Sequence, residues 1–217
     1  MNHIEWRVSD APVAYEEALR FMDERAAAIR AGSAKECIWL LEHPPLFTAG
    51  TSADPAELTN PLDFPVYEAG RGGRYTYHGP GQRVVYVMLD LEKRGKDIRC
   101  FVPALEGWMI GALAELGVAA HRAPGRIGIW VGEGADEAKI GALGVRVKRW
   151  VTLHGFALNV APDLAHFGGS VPCGIAEFGV TSRSELGKQI GMTGVDASLK
   201  RGFHPFLNSL ERKCKES

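Results

Sequence analysis

Three stretches of this 217-residue chain place reactive or proton-carrying side chains among glycines. The first is Val171-Pro172-Cys173-Gly174-Ile175. A cysteine wedged between proline and glycine falls outside regular structure, where its thiol sits on a turn and the Gly174 N–H can face a reacting carbonyl. A thiol with a reference pKa of about 8.5 is mostly protonated at neutral pH, so it needs a nearby cation to become a good nucleophile. The second stretch, Lys139-Ile140-Gly141-Ala142-Leu143-Gly144-Val145-Arg146-Val147, supplies a candidate. Lysine at the head of an apolar strand either has a partner or a task, or it snorkels from the strand end.

The third stretch runs from Gly70 to Gln82 and holds five glycines beside Arg71, Arg74, Thr76, Tyr77, His78 and Gln82. Glycines of this density let backbone approach a ligand closely or adopt positive φ. The same residues also fit a glycine-rich hairpin turn with solvated arginines, and His78 fits either a base or a hydrogen-bonded structural histidine. A phosphate cradle is the less attractive reading: no G-x-x-x-x-G-K-[ST] occurs, and no G-x-G-x-x-G opens a helix here, where a strand follows instead.

Composition narrows the class. Apolar residues make up 46% and charged residues 24%, which is a globular chain able to bury its own core. The 25 basic and 26 acidic residues nearly cancel, which argues against a whole-protein polycation that coats nucleic acid or an anionic membrane. Glycine, at 26 of 217, exceeds the usual ~7% without any repeat or linker run. Cys37, Cys100, Cys173 and Cys214 show no C-x-x-C spacing, so neither a zinc site nor a disulfide framework is expected, and Cys37, Cys100 and Cys214 read as reduced thiols. The start has no secretory pattern and no window is apolar enough to span a membrane, so the expected compartment is the cytoplasm.

The elements that must position these residues follow from periodicity. Pro12 to Ala31 reads as an amphipathic helix stopped by Gly32, and Cys37 to Leu41 as a buried strand ended by His43-Pro44-Pro45. Ser52 to Phe64 reads as loop, and strands are expected at Val66–Ala69, Tyr75–Tyr77 and Val84–Leu91. Phe101, Leu105, Trp108, Met109, Ala112 and Leu116 form one helical stripe closed by Gly117. Strands at Ile127–Val131, Ile140–Val147 and Val151–Val160 follow, the last two joined by a hairpin, and then helices at Ser184–Ile190 and Val195–Leu210. The expectation is one α/β (α+β) domain over residues 1–217, with a mixed, largely antiparallel sheet flanked by helices.

Taken together, the segments resemble the lipoate–protein ligase B family, the octanoyl-carrier-protein:protein N-octanoyltransferases. The likeness rests on His43-Pro44-Pro45-Leu46-Phe47-Thr48, on Arg71 through Gln82, and on Gly128-Ile129-Trp130-Val131. It continues through Lys139 to Val147, His154-Gly155-Phe156-Ala157-Leu158-Asn159-Val160, Pro172-Cys173-Gly174-Ile175 and Val180-Thr181-Ser182. Arg183 stands where the family usually has leucine. The resemblance implies a fold like the biotin and lipoate protein ligase catalytic domains and a catalytic pair of Cys173 and Lys139. It implies substrate-binding stretches at Arg71, Gly72, Gly73, Arg74, Tyr75, Thr76, Tyr77 and His78, at Ala142-Leu143-Gly144, and at Gly155-Phe156-Ala157.

It further implies an octanoyl donor carried on the phosphopantetheine of acyl carrier protein. The acceptors would be apo-lipoyl domains of 2-oxoacid dehydrogenase complexes and the glycine cleavage H protein. No ATP, metal, nucleic acid or membrane is called for, and a monomer is expected. Glycines 72, 73, 141, 144 and 155 are expected to leave a narrow acyl slot walled by Leu143, Phe156 and Ala157. Two basic clusters, Lys93-Arg94-Lys96-Arg99 and Arg146-Lys148-Arg149, are candidates to dock an acidic carrier. Three rivals remain at this point: an ATP-dependent lipoate ligase, a non-catalytic acyl- or lipoate-binding protein, and a thiol hydrolase.

Overall fold

The computed structural model describes residues 4–169, 179–188 and 191–213. Its first elements are β1 (Glu5–Val8), α1 (Tyr15–Arg30), β2 (Cys37–Leu41), β3 (Leu46–Ala49), β4 (Val66–Glu68), β5 (Thr76–His78) and β6 (Gln82–Met88). Then come α2 (Ile98–Glu115), β7 (Ala120–Ala123), β8 (Arg126–Val131), β9 (Ala138–Lys148), β10 (Val151–Asn159), β11 (Gly179–Val180) and α3 (Met192–Lys213).

Among the described residues the main sheet runs β1-β2-β6-β10-β9-β8-β7, with β11 paired in parallel to β9. β1 and β2 are parallel and every other pair along that path is antiparallel. A small second sheet, β4-β3-β5, carries the His43–Thr48 stretch up to the glycine loop. This is the mixed, largely antiparallel α/β architecture that the pattern predicts.

Each face of the main sheet is covered. Helices α2 and α3 pack Trp108, Met109, Phe203 and Phe206 against Ile38, Val85, Val87, Phe156 and Leu158. Trp108 stacks on Phe206 with ring centroids 4.8 Å apart, and its Nε1 donates to the Leu199 carbonyl at 2.9 Å. Helix α1 lays Ala18, Met22, Ala26 and Ile29 on Trp39, Leu41, Val84 and Tyr86 of the other face. Strands β2 and β6 are therefore buried on both sides, which is why β2 is an unbroken apolar run rather than an alternating one. Each fully buried Leu, Ile or Phe contributes roughly 1.5–3 kcal/mol, so these two layers hold the sheet flat against its helices.

Three local expectations are corrected. Helix α1 begins at Tyr15, because Ala14 is extended, and Glu16 and Glu17 sit favourably in its first turn. Residues 183–187 form turns rather than a helix, closed by Gly187 at φ +69, and Ile190 lies outside the described residues. The short strands β1, β3, β7 and β11 were not expected, since none carries enough residues to show a period. The hairpin from Lys148 to Val151 is confirmed, with Arg149 and Trp150 at φ +49 and +68 as a primed turn requires.

Candidate functional site

Strands β9 and β10 pair from Val151↔Lys148 to Leu158↔Gly141, and two adjoining cavities lie along them. One is lined by Lys139, Gly141, Ala142, Tyr75, Thr76, Tyr77, Gln82, Asn159, Phe167 and Val180. The other is lined by Ala142, Leu143, Gly144, His154, Gly155, Phe156 and Ala157. Tyr15, Arg71, Thr76, His78, Val84 and Tyr86 complete its walls. Thr76 and Ala142 belong to both, so the two form compartments of one slot.

Lys139 stands at the first compartment and is only 7% exposed. Its Nζ donates to the Ile127 carbonyl at 2.9 Å and lies 5.6 Å from the centre of the Trp130 ring. Its own carbonyl accepts from the Thr181 N–H at 3.0 Å, which seats β11 beside it with Val180 opposite Lys139. Gly128, at φ +129, makes room for the lysine stem: a Cβ there would collide with Lys139 Cε. Cys173 and Gly174, the nucleophile and oxyanion donor expected from the sequence, lie outside the described residues, as does Cys214.

The glycine loop divides by role. Arg71 is buried, and its guanidinium donates to the carbonyls of Gly72 (3.0 Å), Arg74 (3.2 Å) and Thr48 (3.0 Å) and to Thr48 Oγ1 (2.6 Å). It walls the slot and at the same time braces the loop. Gly144 lacks a side chain where Arg71 Cδ passes, only 2.7 Å from a Cβ position. Gly72, Gly73 and Arg74 stand exposed, away from the cavity walls, with Arg74 paired to Glu57. Tyr75, Thr76, Tyr77 and His78 do face the slot.

The expected slot-carving glycines are corrected in part. A Cβ on Gly141 would strike the Met109 sulfur and one on Gly155 the Val85 carbonyl, so these two allow strand and helix to close up. Gly72 faces open space. Leu143, Phe156 and Ala157 all line this compartment, while Leu143 and Phe156 also pack into the α2–α3 core.

A buried polar chain runs behind the walls. His78 Nδ1 donates to Gln82 Oε1 (2.6 Å), Gln82 Nε2 to Asn159 Oδ1 (3.0 Å), and Asn159 Nδ2 to the Thr181 carbonyl (3.0 Å). His43 Nδ1 donates to the Val13 carbonyl (2.6 Å), while its Nε2 accepts from the Tyr86 hydroxyl (2.7 Å). Burial pushes His43 down to about 4. His78 falls to about 3 through burial and then the nearby His43, and His154 to about 3 through burial and then Arg71. All three imidazoles are neutral at physiological pH, while burial raises Tyr15 to about 12. No group of three or more His, Cys, Asp or Glu among the described residues is arranged to hold a metal.

Sequence reasoning missed Tyr15, Val84, Tyr86 and His154 as slot residues. Tyr15 comes from α1, far along the chain, and leaves no local signal. His154 did carry one, the His-Gly pair inside a strand.

Comparison with known proteins places this geometry. Residues 14–204 match the family model "Lipoyl protein ligase A/B catalytic domain". An octanoyltransferase of Sphingopyxis alaskensis is 67% identical over 207 residues, covering 95% of this chain and 95% of that protein. Among solved structures, a bi-partite lipoate protein ligase of Thermoplasma acidophilum superposes with a TM-score of 0.66 at 17% identity, covering 99% of this chain and 92% of its own. A biotin protein ligase of Aquifex aeolicus gives 0.54 at 12% identity, covering 98% and 72%. At such identities these two structures speak for the fold alone, which is that of the lipoate and biotin protein ligase catalytic domains. The chain belongs to the lipoyl protein ligase A/B catalytic domain family and groups there with the octanoyltransferases. It is an acyltransferase.

Proposed function

We propose that this protein transfers an octanoyl group from octanoyl-acyl carrier protein to a lysine of apo-lipoyl domains, through a thioester on Cys173. The observation that carries the reading is the two-part slot, with a buried lysine at one compartment and, at the other, a pocket that combines Val84, Ala142, Leu143, Phe156 and Ala157 with neutral imidazoles, tyrosines and Arg71, whose guanidinium is engaged by loop carbonyls. An alkyl chain gains about 0.8 kcal/mol per CH₂ buried, so apolar burial of an eight-carbon acyl group contributes several kcal/mol.

The chemistry divides into two displacements. The Lys139 amine, in its neutral form, takes the Cys173 proton, and the resulting ammonium favours the thiolate beside it. The thiolate attacks the donor thioester. The tetrahedral oxyanion is held by backbone N–H groups, with Gly174 one candidate, and collapses to release the phosphopantetheine thiolate. That thiolate recovers the proton from Lys139. The lipoyl-domain amine then attacks the acyl-Cys173 carbonyl. Its surplus proton passes to Lys139, and the C–S bond breaks to regenerate the thiolate. One thioester is exchanged for another and then for an amide, so the sequence runs without ATP or a metal.

Arg71, Thr76, His78, Ala142–Gly144 and Gly155–Ala157 hold the acyl chain in this reading. The acidic carrier docks on Arg146, Lys148 and Arg149. In the competing cluster the bases are paired to acids, Lys93 with Asp90, Arg94 with Glu36, Lys96 with Glu92 and Arg99 with Asp97, with Arg30 sharing Asp90 and Glu92, which reduces the net field there. The protein acts as a single domain, as a monomer, in the cytoplasm. No helix among the described residues is long and apolar enough to cross a membrane.

Intact-mass measurement tests the reading. Incubation with octanoyl-acyl carrier protein is expected to add one octanoyl group, which Cys173→Ser abolishes and apo-lipoyl domain removes without ATP. The absence of an adduct, or an absolute need for ATP, overturns it.

A further inference from the structure

His154 lies inside β10 at φ +61, a backbone region that side chains of its size rarely adopt. Along a strand, side chains alternate between faces. Phe156 and Leu158 point to the α2–α3 core, while Leu153 and Ala157 point to the α1 face. By parity, residue 154 belongs with Phe156. The left-handed backbone turns it to the α1 face instead. There its Nε2 stands 3.5 Å from the Tyr15 hydroxyl and its ring lies 5.8 Å from Tyr86, while its backbone N–H donates to Met22 Sδ at 3.3 Å.

Hydrogen bonding engages the ring only through the long Nε2–Tyr15 contact; among the described residues Nδ1 is buried without a partner, and the residue is only 4% exposed. What the turn achieves is to put an imidazole into the wall of the compartment that excludes Lys139. The register gives the distance. Ala142, shared by both compartments, pairs with Ala157, whereas His154 pairs with Val145. Three residues of strand cover about 10 Å, close to the reach of an extended eight-carbon chain.

We infer that His154 determines acyl-chain length: with Tyr15 and Tyr86 its ring closes the end of the slot remote from Lys139. The inference rests on the octanoyl-transfer reading. Its neutral state suits contact with a terminal methyl group, which a charged ring would oppose.

The test compares octanoyl-, decanoyl- and dodecanoyl-acyl carrier protein as donors for the wild type, His154→Gly and His154→Asn. Glycine adopts φ +61 without strain and asparagine tolerates it, so both replacements shorten the wall while keeping the backbone. The wild type is expected to lose tenfold or more in kcat/KM from octanoyl to dodecanoyl donor. His154→Gly should raise the dodecanoyl-to-octanoyl ratio at least tenfold, and His154→Asn should shift the preference towards decanoyl. Thermal melting establishes that each variant is folded, and His154→Asn decides the matter if His154→Gly is not. Folded variants that keep the wild-type length profile overturn the inference alone. A wild type that forms no octanoyl adduct overturns the transfer reading and this inference with it.

Discussion

Gly128 and Lys139 are fitted to each other across β8 and β9: a Cβ on residue 128 would collide with Lys139 Cε and stand 2.9 Å from its Nζ. The backbone at φ +129 belongs to a region that essentially only glycine enters. Lys139 is thus held from three sides, by the Ile127 carbonyl, the Trp130 ring and a missing side chain. Gly128→Ala is expected to displace the amine and cut Cys173 acylation on the order of 100-fold, the lower range for loss of a positioned acid–base group. Single-turnover acylation read by mass checks this. A variant that is folded and acylates within about threefold of wild type would show that Gly128 does not set the lysine's position.

Arg71 carries a second constraint, because its four bonds close the loop that faces the slot. Lysine keeps the charge but cannot span acceptors on Thr48 and on residues 72 and 74 with one planar fork. Arg71→Lys is expected to cost about 2–3 kcal/mol, the scale of a buried carbonyl and hydroxyl left unpaired. The urea midpoint should fall at unchanged slope, and kcat should fall as well, since Gly144 packs against the Arg71 stem. An unchanged midpoint would mean that the loop is held by its backbone bonds alone.

How much of this could be read beforehand depends on where each signal lies. Strand β2 was legible to the residue because burial on both faces makes Cys37–Leu41 continuously apolar. The α2 stripe was legible because Phe101 to Leu116 all face one core. Lys139 was legible as an anomaly, a charge inside an apolar strand. The glycine loop yielded only its donors. Which of them turn inward depends on Thr48, brought alongside by β3 pairing with β5, and no local pattern encodes that pairing. Tyr15 and Tyr86 were invisible because they reach the slot from separate elements. His154 was not singled out, and strand parity alone assigns it to the opposite face; one positive φ reverses that assignment.

The three buried imidazoles make stability depend on pH. His43, His78 and His154 are depressed to about 4, 3 and 3, below the 6.5 of an unfolded histidine. Below about pH 6.5 the unfolded chain binds protons that the folded chain refuses. The stabilisation is therefore complete above that pH and is lost progressively as pH falls towards 4 and 3, by up to ~1.4 kcal/mol per pH unit for each histidine. Urea unfolding at pH 7, 6 and 5 is expected to show this decline, and His43→Gln should flatten it. A stability that stays constant from pH 7 to 5 would contradict neutral burial of these rings.

The basic turn at β9–β10 leads to the last prediction. The Arg146 guanidinium lies 3.2 Å from the Cβ position of Gly70, at the edge of the glycine loop, and Lys148 and Arg149 follow on the same hairpin, with Lys148 paired to Asp23. A carrier drawn to this edge would present its phosphopantetheine to the loop directly. Charge at such a rim acts mainly on association and is screened by salt over about 8–10 Å. Reversing Arg146, Lys148 and Arg149 to glutamate is expected to raise KM for octanoyl-acyl carrier protein about tenfold, and to erase most of the salt dependence of kcat/KM. Lys93→Glu with Lys96→Glu, in a cluster where Asp90 and Glu92 pair with these lysines and with Arg30, should change KM by less than about twofold. If the second pair raises KM and the first triplet does not, the carrier approaches from the opposite cluster.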